Sequence, residues 1–195
     1  MSRDLAPPAT PVSWLDLPVT VDHPTVREVF AATSAKIGYV RHQQHVLSAK
    51  PTVLAALTAL GDAVVRDPDG VLSPREREVI ALVVSAENRC DACVFAHAAA
   101  LRGQGAAAEW VDTVAVNYRR ASLTTRERAL ADYAVKITRA AAEIVPADLD
   151  ALRQAGVPEA GILEAATVTA YFNLTNRLNS GLGIRANSEA HASHR

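Results

Sequence analysis

A chain of 195 residues with 49% hydrophobic and 21% charged residues has the make-up of a soluble globular domain, long enough to bury roughly 70% of the surface its unfolded form exposes. Its formal net charge of −1, from 20 basic and 21 acidic residues scattered along the chain, lacks the clustered cationic stripe that nucleic-acid binding needs. No uncharged apolar run reaches the ~18 residues of a membrane span and the opening residues lack the apolar core of a signal peptide, so a cytoplasmic protein with no nucleic-acid or membrane partner is expected.

Residues 1–20 are proline-rich with little periodic pattern and read as an extended arm; residues 21–184 read as one helical domain and residues 185–195 as a C-terminal tail. Within the domain the punctuation is helical. Pro24 can open a helix at its first position and Gly38 can close it, and Pro51 opens a second one running towards Val65. Asp67-Pro68-Asp69-Gly70 is a turn. Ser73-Pro74-Arg75-Glu76 joins an N-cap serine to a glutamate that can bond back to the cap, which favours a helix over a strand for the apolar run Val79 to Val84. Further helices are expected over Asp91 to Leu101, ending at Gly103; before Tyr118; after the second capping box Thr124-Thr125-Arg126-Glu127; and from Pro158 to about Ser180. The fold class is therefore all-α.

Leu72-Ser73-Pro74-Arg75-Glu76-Arg77 and Leu123-Thr124-Thr125-Arg126-Glu127-Arg128 repeat one pattern 51 residues apart. An internal duplication would explain this, and so would the shared physics of capping. At that offset Ala129 stands opposite Glu78, Ala141 opposite Cys90, Ile144 opposite Cys93 and Asp148 opposite His97, so a second copy carries no chemistry.

The chain has two cysteines, three residues apart, which points to redox or metal chemistry rather than a disulfide framework. On a helix, Cys90, Cys93 and His97 lie along one face. Cys90 sits at the helix N-terminus, where unpaired N–H groups favour a thiolate, whereas Cys93 is one turn from His97, which can stabilise a thiolate or pass a proton to a leaving oxygen. Residue chemistry thus leaves the roles of the two sulfurs open. His42 and His45, at i,i+3, read as surface histidines; Glu87 reads as a helix-end or interface residue; and Asn173, Asn176 and Arg177 share a face that could line a pocket or an interface.

The stretch from Leu72 to Glu78, then Val84-Ser85-Ala86-Glu87-Asn88-Arg89-Cys90-Asp91-Ala92-Cys93 through His97 to Leu101, resembles the alkylhydroperoxidase D and carboxymuconolactone decarboxylase superfamily, and most of all its peroxidase-related branch. Ile37-Gly38-Tyr39-Val40 and Phe172-Asn173-Leu174-Thr175-Asn176-Arg177-Leu178 extend the likeness over residues 13–184. The resemblance implies a single-domain helical bundle that assembles as a homo-oligomer. It implies a thiol-dependent peroxidase in which Cys93 is the peroxidatic thiol, Cys90 the resolving thiol, and Glu78 and His97 a proton relay. Hydroperoxide would be the substrate, an external dithiol the reductant, and no cofactor or metal would be required. Ala92 stands where members often carry a histidine, so thiolate stabilisation is expected to be weaker. A structural zinc site using Cys90, Cys93 and His97, or a redox-sensing assembly protein, are the alternatives.

Overall fold

The computed structural model describes residues 10–195, which form ten α-helices and, among the described residues, no strand. In chain order these are α1 (Pro24–Ile37), α2 (His42–Leu47), α3 (Pro51–Val65), α4 (Pro74–Glu87), α5 (Asp91–Gly103), α6 (Ala108–Asn117), α7 (Thr125–Ala140), α8 (Pro146–Gln154), α9 (Glu159–Gly181) and α10 (Ser188–Ala192). No helix is long and apolar enough to cross a membrane.

The organising element is α4. Ser73 accepts from the Glu76 amide at 3.2 Å while Glu76 accepts from the Ser73 amide at 2.8 Å, so the capping box is closed and the helix start is fixed. Beyond it, Val79 to Ser85 are all buried. A helix apolar on every side belongs at the centre of a bundle, and α4 packs against α3, α5, α6, α7 and α9. Truncating a large side chain in such a position costs about 2–5 kcal/mol.

A smaller cluster, Val26, Phe30, Val40, Leu47 and Leu54, joins α1, α2 and α3. Gly38 closes α1 in the left-handed region at φ 85°, the conformation a side chain resists. The seam between this cluster and the main bundle contains the pocket described below.

The repeated pattern recurs in space. Thr124 and Glu127 close a second capping box on α7. The Arg75 Nε donates to Glu127 Oε1 and the Arg126 Nε to Glu76 Oε1, two reciprocal ion pairs related by the 51-residue offset. Arg77 donates to the Asp67 carbonyl and Arg128 to the Tyr118 and Ala121 carbonyls, so the last residue of each copy ties down the segment that leads into its helix.

The segment 10–20 carries no helix or strand and is bonded to the C-terminal region: Trp14 N–H donates to the Leu182 carbonyl and Arg185 N–H to the Val12 carbonyl. Residues 1–9 of the expected arm lie outside the described residues. Residues 185–195, expected to be a tail, include α10, with Ala190 buried. The buried Arg102 holds it through the Ala190 and Ser193 carbonyls. Helix α8 was not signalled either, although Pro146 at its first turn and Asp148 bonding back to Val145 N–H are a start signal of the kind found elsewhere in the chain.

Candidate active site

Between α4 and α5 the chain reverses through Arg89, whose φ of 53° is left-handed. This conformation costs a non-glycine residue roughly 1–2 kcal/mol. The turn lets the Cys90 amide reach the Ser85 carbonyl at 3.0 Å and sets Cys90 as the N-cap of α5. Cys93 follows in the first turn, and the two free thiols lie 3.0 Å apart in hydrogen-bond contact.

Both cysteines are buried, but only Cys93 lines the pocket. Its sulfur takes a hydrogen bond from Asn179 Nδ2 at 3.1 Å, and Asn179 is itself oriented by Gln43 Nε2 at 2.8 Å. The hydrogen bond between the two sulfurs lowers Cys90 to about 7 against the opposing effect of burial, with the Cys93 amide adding a further bond. Cys93 is correspondingly pushed up, by the proton it shares with Cys90, by burial and by the adjacent negative charge. The pair thus loses its first proton near neutrality and holds the second; the charge rests first on the inner sulfur, as the helix N-terminus favours.

His97 lies one turn beyond Cys93 on α5, and its Nδ1 is 2.8 Å from Glu78 Oε2 on α4. Both side chains are largely buried, at 14% and 13% exposure. The imidazole stands edge-on to Phe172, with ring centroids 4.3 Å apart. With Nδ1–H donated to the carboxylate, Nε2 is the ring's free nitrogen. Among the described residues the hydrogen bonds at the Cys93 sulfur come from Cys90 and Asn179, while the Glu78 carboxylate across the helix pair holds the His97 ring.

All four expected residues therefore converge, with Glu78, Cys93 and His97 lining one pocket of about 160 Å³ and Cys90 behind Cys93. The walls include Leu47, Leu54, Leu57 and Phe172. At Gly61, also in the lining, an added Cβ would clash with the Tyr171 hydroxyl. Asn179 and Gln43 were missed by sequence reasoning. Asn179 lies two helical turns beyond Phe172, and nothing local distinguishes it from Asn173 or Asn176.

Those two asparagines do not line the pocket. Asn173 and Asn176 each accept from Asn88 Nδ2 at 3.0 Å, and Asn176 donates to Ser85 Oγ, which braces the turn that carries Cys90. Arg177 is bonded to Asn173, and Glu87 pairs with Arg139 on α7. His45, expected at the surface, is buried beside Phe30 with Nδ1 unpartnered, and burial lowers it to about 4. No group of three or more His, Cys, Asp or Glu residues among those described is arranged to hold a metal ion.

The model of the carboxymuconolactone decarboxylase family matches residues 51–118, from α3 through α6. A crystal structure of an alkylhydroperoxidase AhpD core, an uncharacterized peroxidase-related protein from Ralstonia eutropha JMP134, is similar at 35% identity; the match covers 96% of this chain and 98% of that one with a TM-score of 0.90. The chain belongs to the alkylhydroperoxidase D and carboxymuconolactone decarboxylase superfamily. A peroxidase-related protein from Silicibacter sp. TM1040 matches equally, at 35% identity over 95% of this chain and 97% of that one, with a TM-score of 0.88. The superfamily fold extends to the debrominase Bmp8, at 18% identity over 94% and 95% of the two chains and a TM-score of 0.75. No curated protein matches the chain.

Proposed function

We propose that this superfamily member is a thiol-dependent peroxidase that reduces hydroperoxides through a Cys90–Cys93 disulfide cycle. The observation that carries the reading is the division of labour between the two sulfurs: one faces the pocket and the other sits behind it as a proton and electron partner at 3.0 Å. Handing the shared proton from Cys93 to Cys90 places the thiolate on the pocket side, where Asn179 stabilises it. That thiolate attacks the terminal peroxide oxygen; the O–O bond breaks, and the departing alkoxide leaves as alcohol with the first proton released by the thiol pair, which His97 Nε2 takes up and hands on while Glu78 holds the ring. Cys93 is now a sulfenic acid. The Cys90 sulfur attacks it, the S–OH bond breaks, and hydroxide leaves as water with the proton that Cys90 held. An external dithiol then reduces the disulfide by exchange. A homo-oligomer is part of the same reading, supported by the exposed Trp14, Leu15 and Leu17 beside the C-terminal region.

A sulfenic-acid trap with mass spectrometry tests the roles. Cys90→Ser should consume about one equivalent of hydroperoxide and yield an adduct on Cys93, because the attacking thiol survives without its condensation partner. Cys93→Ser should yield none. An adduct found only on Cys90 would reverse the assignment, and none on either variant would remove the peroxidase reading.

A further inference from the structure

The pocket has a cationic lining that the peroxide chemistry does not use. Arg41, just before α2, Arg66, at the end of α3, and Arg185, before α10, all line it together with Cys93 and His97. Glu78 is the acidic residue of the lining, and its carboxylate is engaged by His97. Arg66 pairs with Asp62 on its own helix. Among the described residues no ion pair involves Arg41 or Arg185. In a chain of net charge −1, a local excess of positive charge at an apolar cleft attracts anions and concentrates the field there. The charged groups of the lining act on one another and on the interior: burial and repulsion from Arg41 push Arg66 down from its ordinary value against the attraction of Glu78, while Arg41 and Arg66 both oppose the upward push of burial on Tyr171.

We propose that this pocket selects organic molecules bearing a carboxylate, with the apolar body against Leu47, Leu54, Leu57 and Phe172 and the carboxylate at Arg41 and Arg66. Resting on the peroxidase reading, the substrate is then an organic hydroperoxide that carries an acid group, rather than hydrogen peroxide or a neutral alkyl hydroperoxide. Guanidinium matches a carboxylate in planar, two-point geometry, and a neutral isostere leaves it no charge to meet.

The probe is para-isopropylbenzoate against para-isopropylbenzamide, nearly identical in shape and different in charge. Calorimetry on the reduced full chain at low ionic strength should show the acid binding at least about tenfold tighter than the amide, a gain of the size expected for one charge-assisted contact. The preference should shrink towards unity in Arg41→Gln and in 1 M salt, where screening acts within about 3 Å. Equal binding of the two probes, no acid binding at millimolar concentration, or a preference unmoved in a folded Arg41→Gln overturns the proposal. If that variant does not fold, a preference in the unaltered chain that persists undiminished in 1 M salt overturns it. Single-turnover oxidation by cumene hydroperoxide and its para-carboxylate separates the two readings. A protein that binds the acid but is oxidised by neither keeps its anion site and loses the peroxidase function.

Discussion

Helices α4 and α7 begin in the same way and end differently. Each is opened by a closed capping box, each sends its second arginine back to the carbonyls of the preceding segment, and each ion-pairs the other's glutamate. Their continuations diverge. The turn after α4 passes through a left-handed Arg89 and delivers Cys90 to the N-cap of α5, whereas α7 runs into a short 3-10 turn at Ala141–Glu143 before α8. At the offset of Glu78 stands Ala129, and at that of His97 stands Asp148, which is held by Lys136. The shared half of the pattern is architecture, and the unshared half is the site. A scaffold can thus present one copy of a motif to a pocket while the other serves only packing.

The largest expected effect comes from making the first copy more like the second at the carboxylate. Glu78→Gln keeps the size of the side chain and removes the charge that holds the His97 ring. Peroxide-driven oxidation of the thiol pair, followed by stopped-flow fluorescence, should slow by about 10²- to 10⁴-fold, the range of a general acid–base contribution, with helicity unchanged. An unaltered rate would make Glu78 structurally equivalent to Ala129 and confine the difference between the copies to the cysteines.

Helix α9 also treats the two copies differently, donating from Asn173 to Thr138 on α7 and from Asn179 to Cys93. Alkylation of the reduced protein by iodoacetamide should follow the deprotonated pair. With Cys90 lowered to about 7, the rate should rise about tenfold per pH unit below that value and level off above it. Asn179→Ala removes a donor that favours the charged sulfur, so the inflection should move upward by on the order of one pH unit, the equivalent of one charge-assisted hydrogen bond. A downward or absent movement would show that Asn179 does not support the thiolate.

Much of this was legible in the sequence because it is written locally. Pro24, Pro51 and Pro74, the two capping boxes and Gly38 are each sufficient to set a helix end, and α1, α3, α4 and α7 fall where those residues put them. Cys90, Cys93 and His97 are also local, lying at the N-cap and in the first two turns of one helix. Asn179, Gln43 and the arginine rim were not legible, since they reach the pocket from α9, α2, α3 and the C-terminal segment through chain separations that no spacing encodes. The burial of His45 belongs to the same class: Phe30 covers its ring only after α1 and α2 have packed.

The smallest effect probes the shared half of the pattern. The pairs Arg75–Glu127 and Arg126–Glu76 are partly exposed, at 43% and 7% and at 29% and 12%, so solvent screening limits each to about 0.5–1 kcal/mol. Single substitutions would not compare them fairly. Arg75 also stacks on Trp110 with its guanidinium carbon 4.1 Å from the ring centroid, Arg126 also donates to the Gly156 carbonyl at 2.7 Å, and both glutamates also close capping boxes. A double-mutant cycle to alanine on each pair cancels those separate contributions and isolates the pairwise coupling. If the two copies remain equivalent where they face each other, urea unfolding should return couplings that agree within about 0.5 kcal/mol. A coupling near zero in one pair and near 1 kcal/mol in the other would mean that the equivalence is one of geometry alone, and that divergence has reached the α4–α7 interface as well as the site.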